Sequence, residues 1–372
     1  MAAISRNIAI VLAIVLLIVG LAIGYGVGSI AVKPTTITVT TTIPGAPTTV
    51  TVPTTITVPT TVTVTATPKV EKKWTVYFIP HAGPADPFWA CQMRAAEAAA
   101  SLIAEIDLKF VAPERYGIKE QIELIEAAIA KKPDFLIVTV SDPEAMDPVL
   151  RKAIEKGIPV LAVNIEDYRP EEERIPYLGY VGMDERISGE VLAKEALKRF
   201  KEIVGRLPKR AVVGIHQPGL ICLEMRTDGI LKVCKEMGIP CDRLDITMDP
   251  TKAMEILKSY LAKHPDTELI FTLGPCGSHP AIKLIKEEGL VGKVYHGCID
   301  LSPKILEAIK EGITLCAISQ QPAAQAFYSV IAAYLYLKYG ILPPMKIPTG
   351  PTVVDKANLE IILKQIETTG GA

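Results

Sequence analysis

Asparagine is nearly absent from this chain of 372 residues, and Asn7, Asn164 and Asn358 are its only three copies. Glutamine is also sparse, whereas glutamate, lysine and isoleucine are plentiful. Because amide side chains hydrolyse at high temperature, this composition predicts a hyperthermophilic, archaeal source. The scarcity also marks Asn164, which follows a predicted strand, as a residue retained for a specific purpose.

Several sequence patterns that would indicate other functions are missing. The formal net charge of −1 shows no basic excess, so nothing favours nucleic acid as a partner. No CxxC pair is present, so we expect no metal site. No glycine-rich turn follows the first predicted strand of either half of the body, which excludes a dinucleotide loop there. His216 and His296 end strands as isolated histidines, and we predict neither an enzyme nor a cofactor.

Six of the seven cysteines lie in the second half of the chain's globular body. Outside the cell, disulfides form and persist. Cys234 and Cys241 could then join the end of a helix to the next strand. Buried free thiols are the alternative, and the sequence does not decide the connectivity.

Arg6 and Lys33 are the only charged side chains in the first 68 residues of the chain. Ile8 to Val32 is an unbroken apolar run between Arg6 and Lys33. A helix of this length rises about 37 Å, enough to cross a bilayer, and exceeds the apolar core of a secretory signal. Arg6 on the short side predicts that this end stays in the cytoplasm. We therefore predict a single-pass membrane anchor at residues 1–33 and an extracellular body.

A threonine- and proline-rich tract, residues 34–72, follows the predicted anchor. It has no charged residue from Pro34 to Pro68. Prolines recur too often for a central strand, and such tracts are typical of extended, often glycosylated stalks. At about 3.1 Å per residue the tract reaches on the order of 100 Å. We predict a spacer, with contact to a surface layer or cell wall as the alternative.

Short apolar strands alternate with amphipathic segments from residue 73 onwards. The predicted strands lie at 74–80, 106–112, 135–140, 159–165, 211–217, 244–247, 269–274, 294–300 and 314–319. Helical segments begin near Phe88, Gly117, Glu144, Ile221, Pro250, Ser278 and Ser302. Continuous apolar strands in this alternation indicate α/β lobes with parallel sheets covered on both faces. Because the pattern occurs twice around a crossover at 177–185, we predict two doubly wound lobes with ligand-binding strand ends facing one cleft.

The order of these segments resembles the type 1 periplasmic-binding-protein family, in its sugar-binding, ribose-type branch. The segments that carry the resemblance are DPFW (86–89), KKPDFLIVTVSDPEAM (131–146), EKGIPVLAVN (155–164), GYVGMDE (179–185), EMRTDGI (224–230), LGP (273–275), IDLSPKILEAIKEG (299–312), ISQQP (318–322) and TGPTVV (349–354). The resemblance implies two Rossmann-like lobes joined by three hinge crossings. It places the N-terminal lobe at 73–182 plus 321–348 and the C-terminal lobe at 183–320 plus 349–372. The crossings are expected near 182–183, 319–321 and 349–351.

Sugar binding needs flat aromatic faces and planar polar groups that pair with vicinal hydroxyls. Asp86, Phe88 and Trp89 follow the first strand. The resemblance places both rings against the sugar and gives Asp86 a hydroxyl-binding role, with a helix N-cap as the alternative. Asn164 and Thr139 end the fourth and third strands, where relatives carry a ligand-binding Asp and Asn.

The second lobe contributes the other candidates through the same resemblance. Glu224 stands where relatives have a ligand-binding Arg, and Arg226 matches a nearby Arg. A salt bridge between the lobes or along the helix is the alternative for both. Gly274 stands where relatives have an Asn, so it could offer only backbone groups. Asp300 matches a hydroxyl-binding Asp, with a helix cap as the alternative, and Gln320 matches a ligand-binding Gln at a hinge.

These features predict an extracellular solute-binding protein of an ABC importer that captures a sugar or polyol by hinge closure. The expected partners are the ligand, an ABC permease and the membrane, and the protein is expected to be a monomer. The alternative is a sensory ectodomain with the same fold that acts through a signalling partner. A transcription repressor is excluded by the predicted anchor and the missing helix-turn-helix. The departures at residues 139, 164, 224 and 274 argue against assuming ribose.

Overall fold

The computed structural model describes residues 73–369 of the chain, with side chains up to residue 367. The predicted anchor (1–33) and stalk (34–72) lie outside the described residues. Among residues 73–369, no helix combines the length and apolarity needed to cross a bilayer.

The first sheet has six parallel strands in the order β11-β5-β4-β3-β1-β2. They are β1 (Trp74–Ile79), β2 (Ile106–Phe110), β3 (Phe135–Val138), β4 (Val160–Val163), β5 (Tyr180–Gly182) and β11 (Lys346–Pro348). The strands β3 and β4 are buried over their whole length. Burial on both faces explains why they read as continuous apolar runs in the sequence.

The second sheet has the order β12-β10-β9-β8-β6-β7 and is parallel except for its antiparallel edge strand β12. Its strands are β6 (Arg210–Ile215), β7 (Cys241–Asp245), β8 (Thr267–Thr272), β9 (Tyr295–Ile299), β10 (Thr314–Ser319) and β12 (Thr352–Val354). The predicted α/β architecture with two sheets of parallel strands is confirmed. The strand predicted at 314–319 coincides with β10, whereas β7 begins three residues before the predicted 244.

Helices cover both faces of each sheet. They are α1 (Pro87–Ser101), α2 (Ile118–Ala130), α3 (Pro143–Glu155), α4 (Glu185–Val204), α5 (Ile221–Glu236), α6 (Pro250–Lys263), α7 (Pro275–Glu287), α8 (Pro303–Lys310), α9 (Pro322–Tyr339) and α10 (Leu359–Thr369). Four apolar clusters fill the spaces between helices and sheets. Helix α7 begins three residues before the predicted Ser278, because Pro275 suits the first turn of a helix.

Helix starts follow local sequence chemistry. Asp142, Asp184 and Asp249 each accept a hydrogen bond from a backbone N–H of the helix that follows. Such caps satisfy donors that the first turn of a helix leaves unpaired. The caps fix where each helix leaves the edge of its sheet.

The chain passes between the two sheets at three places. It leaves the first sheet after β5 and enters α4, which packs against the second sheet. It returns between β10 and α9, and crosses again between β11 and β12. The hydroxyl of Tyr180 donates to the backbone oxygens of Asn164 (2.7 Å) and Met183 (3.0 Å), which holds the first passage against the end of β4.

Candidate functional site

Polar side chains from both sheets meet at the three passages. Asn164, one residue after β4, lies at a positive φ of 64° and is 5 % exposed. Its Nδ2 donates to Oε1 of Gln320 and to Oε1 of Gln325, both at 3.2 Å. Gln325 also accepts from Nε2 of Gln92 at 2.9 Å. The first sheet and its helices therefore contribute a hydrogen-bonded chain of three amide side chains, those of Gln92, Gln325 and Asn164. This chain reaches Gln320 in the passage after β10.

Asp300 continues this chain into the second sheet. Its Oδ1 accepts from Nε2 of Gln320 at 2.6 Å, and its φ is 68°. Burial raises the pKa of Asp300 above its usual value, and the charge of Asp86 adds to this increase. The charge of Arg226 and the hydrogen bond from Gln320 only partly offset it. The predicted alternative of a helix cap is not what the structure shows, because Ser302 caps α8 through its hydroxyl. The carboxylate is thus available to hydroxyl groups in the cleft.

Arg226 is held by a buried bidentate ion pair. Its Nε and Nη2 donate to Glu185 at 2.5 and 3.0 Å, and its Nη1 donates to the backbone oxygen of Leu273 at 2.9 Å. Burial opposes the charge of Arg226, but Glu185 outweighs this and keeps the arginine pKa raised. Nη1 lies 3.9 Å from Oδ2 of Asp300. Arg226 therefore orients Asp300, while its own charge is balanced by Glu185.

The loop after β1 presents Asp86, and the first turn of α1 presents Phe88 and Trp89. Asp86 caps α1 by accepting from the backbone N of Phe88 at 2.9 Å, as its alternative role predicts. Its charge also raises the pKa of Asp300 and Cys276, so it faces the second lobe. Phe88 is partly exposed, whereas Trp89 is 4 % exposed with its ring edge-on to Phe88 at 4.9 Å. Of the two rings, Phe88 offers more surface to a ligand.

Two of the predicted residues have other partners. Both carboxylate oxygens of Glu224 pair with Arg243, and one also accepts from the backbone N of Gly219 at 2.7 Å. This salt bridge runs to β7 of the same lobe, rather than between lobes or along the helix, and it argues against a ligand contact. The hydroxyl of Thr139 is fully buried between His81 (3.0 Å) and Gln121 (2.9 Å). The side chains of Glu224 and Thr139 therefore already have hydrogen-bonding partners within the protein.

Gly274 lies inside the polar cluster. A Cβ atom at this position would lie 3.2 Å from Cε1 of His216 and 3.7 Å from Oδ2 of Asp300. The absence of a side chain at Gly274 therefore lets His216 pack closely beside the carboxylate. Among residues 73–369, no group of three His, Cys, Asp or Glu side chains is arranged to hold a metal ion. The cluster offers amide donors and acceptors together with carboxylate acceptors, which suits a polyhydroxylated molecule.

Residues 76–340 of the chain match the periplasmic binding protein domain family. The chain belongs to this family. The fold and the resemblance drawn from the sequence motifs are both confirmed. Sequence comparison finds a xylose/arabinose-binding protein of Sulfolobus acidocaldarius that is 26% identical over 300 residues, covering 77% of this chain and 72% of that protein.

Solved structures of sugar transporters also resemble this periplasmic binding protein. One is a periplasmic sugar-binding protein of an ABC sugar transporter from Legionella pneumophila, with 28% identity and a TM-score of 0.68, covering 75% of this chain and 100% of that one. Another is a carbohydrate transporter from Acidothermus cellulolyticus in complex with myo-inositol, with 26% identity and a TM-score of 0.68, covering 80% and 99%.

The binding protein's site also contains residues that the sequence analysis did not identify. They are Gln92, Glu185 and Gln325, together with His216, which was considered but set aside as an isolated histidine. The general scarcity of glutamine could have drawn attention to Gln92 and Gln325, as the scarcity of asparagine did to Asn164. Nδ1 of His216 has no partner among the described residues, and burial together with Arg226 lowers the pKa of His216 to about 4. A neutral imidazole with a free nitrogen can pair with a ligand hydroxyl.

Proposed function

We propose that this protein is the solute-binding component of an ABC importer and binds a sugar or polyol in the cleft between its lobes. The observation that carries the proposal is the hydrogen-bonded series Asn164, Gln320 and Asp300, which runs from one sheet to the other through a passage between them. A ligand that replaces or joins these bonds contacts both lobes. It therefore binds the closed arrangement more tightly than an open one.

The proposed lobes are residues 73–182 plus 321–348 and residues 183–320 plus 349–372. The membership of the strands in two sheets supports this division. Burial raises the pKa of Tyr116, which follows β2, and Gln217, which follows β6, partly lowers it, so these two side chains also come close to each other across the lobes. Opening would break this contact and leave the three passages as hinges.

The charges in the cleft favour a neutral ligand. Glu185 balances Arg226, which leaves Asp300 and Asp86 as unbalanced carboxylates. An acidic sugar would bring a third negative charge to this region, and like charges disfavour binding. Gly274 and Asn164 replace the residues of ribose-type relatives, so a pentose other than ribose, a hexose or a cyclic polyol fits the proposal. The named relatives bind such compounds: xylose or arabinose in one and myo-inositol in another.

We further propose that residues 1–33 anchor the protein in the cell membrane with its body outside, and that residues 34–72 hold the body away from the bilayer. The uncharged apolar run of the anchor supports this. The expected partner is an ABC permease, to which the closed monomer delivers its cargo. The thermophilic, archaeal source stays a prediction.

Isothermal titration calorimetry on the purified chain tests the proposal. The panel contains aldopentoses, aldohexoses, myo-inositol and galacturonate, which is a negatively charged control with the shape of the aldohexose galactose. We expect one neutral compound to bind with a micromolar or lower Kd and galacturonate to bind at least tenfold more weakly. No binding across the panel would reject the sugar assignment. Tighter binding of galacturonate would reject the charge argument alone.

A further inference from the structure

A pair of cysteines in the second lobe lies outside the proposed sugar site. Cys234 is in the last turn of α5, and Cys241 is the first residue of β7. The two thiols are close enough that Cys234, together with burial, raises the pKa of Cys241. Both pack in the same apolar cluster, with Cys234 fully buried and Cys241 partly exposed. We propose that Cys234 and Cys241 form a disulfide that joins α5 to β7 in the mature protein.

The turn between the two cysteines holds their backbones close together. Gly238 has a φ of 69°, which reverses the chain directly after the helix. The backbone N of Ile239 then donates to the carbonyl oxygen of Cys234 at 2.8 Å. On the other side, the backbone N of Ala211 in β6 donates to the oxygen of Pro240 at 2.9 Å. Backbone hydrogen bonds to α5 and to β6 therefore hold the short segment that joins Cys234 to Cys241.

Other cysteines near one another are not arranged in this way. Cys298 in β9 is opposite Ala317, and Cys316 in β10 is opposite Gly297. Successive residues of a strand point to opposite faces of the sheet. Cys298 and Cys316 accordingly lie in different apolar clusters, on the two sides of the second sheet. Their thiols are separated by the sheet and cannot be joined.

The oxidation is a dithiol–disulfide exchange with an extracellular disulfide oxidant. The thiolate of Cys241 attacks one sulfur of the oxidant, forms a mixed disulfide and releases one oxidant thiol. The thiolate of Cys234 then attacks the Cys241 sulfur and releases the second thiol. Two electrons pass to the oxidant, and the two protons lost by Cys234 and Cys241 end on the two released thiols of the oxidant. The exposure of Cys241 decides the order, because the oxidant reaches it first.

The test uses the full chain, purified without reductant and incubated with oxidised glutathione. The protein is denatured, alkylated and digested with trypsin. Cleavage after Lys232, Lys235 and Arg243 gives peptides 233–235 and 236–243. We expect these two peptides to be linked and five cysteines to be alkylated, rising to seven after reduction. Seven alkylated cysteines before reduction, or a link between other cysteines, would overturn the proposal.

Thermal unfolding provides a second readout that does not depend on peptide mapping. Closing a loop of this length should raise Tm by about 5 °C relative to the reduced protein. The Tm of Cys241→Ser should be the same with and without reductant, whereas Cys276→Ser, an exposed control, should respond to reductant like the wild type. An equal effect of reductant on Cys241→Ser and the wild type would assign the effect to another bond.

Discussion

Replacing Asp300 with Asn isolates the charge at the centre of the proposed site. The φ of 68° at this residue is tolerated by Asn about as well as by Asp, whereas Ala would add strain. Asn can still accept the hydrogen bond from Gln320 through its side-chain oxygen. The fold should therefore remain intact, and stability should change little because a buried carboxylate with a raised pKa is removed.

The loss of affinity follows from the ligand's hydroxyl groups. A hydrogen bond to a charged acceptor contributes about 1.5–3 kcal/mol and a neutral one about 0.5–1.5 kcal/mol. For two hydroxyls on one carboxylate, the change costs about 2 kcal/mol, or roughly thirtyfold in Kd. Calorimetry with the best sugar of the panel measures this.

Ser302→Ala is the matched control for Asp300→Asn. It removes the actual cap of α8 two residues away, so it should lower stability by about 1 kcal/mol and leave Kd unchanged. An unchanged Kd for Asp300→Asn would refute the role of this carboxylate in ligand binding. The affinity of the wild type should also fall as the pH is lowered through the raised pKa of Asp300, because protonation removes the charge. The Kd of Asp300→Asn should depend less on pH.

Three further predictions concern the surroundings of this carboxylate. Phe88→Ala should raise Kd about tenfold with little change in Tm, because its ring is partly exposed to the cleft. Trp89→Ala should lower stability by about 3 kcal/mol, because its ring is buried. Equal Tm losses for the two variants would contradict this difference. Glu185→Ala should lower stability by about 3–5 kcal/mol in urea unfolding because Arg226 is left buried and unpaired, and a loss below 1 kcal/mol would refute the buried pair. Burial lowers the pKa of His296 to about 3, so its contribution to stability is complete above pH 6.5 and is lost as the pH falls. His296→Gln should therefore reduce proton uptake on unfolding at pH 5 by about one, measured from the pH dependence of the unfolding free energy.

The central strands of both sheets could be predicted because burial on both faces leaves a continuous apolar run. The strands β5, β11 and β12 were not predicted, since each has only three residues and its pairing depends on the neighbouring strand. The helices α4 and α10 were also not identified. The segment 177–185 was interpreted only as a crossover, although Asp184 supplies an N-cap directly before α4.

The residues of the candidate site also differ in how well the sequence could predict them. Asn164, Asp300 and Gln320 directly follow strands, and the rule that ligands lie at the carboxyl ends of parallel strands was enough to select them. Gln325 and Glu185 lie in helices, and their part in the site depends on how those helices approach the strand ends. Glu224 was selected by its position in a motif, but Arg243, nineteen residues later in the chain, decides its partner.

Gln320 occupies a hinge passage and the proposed site at the same time. Its backbone oxygen accepts from the hydroxyl of Thr349 at 2.9 Å, so two of the three passages are tied together at this residue. For the design of a fluorescent sugar sensor, this separates two kinds of position. Changes at Asn164 or Asp300, each on one lobe, should alter which sugar is detected. Changes at Thr349 should shift the balance between open and closed forms and so set the concentration range over which the sensor responds, whereas changes at Gln320 should do both.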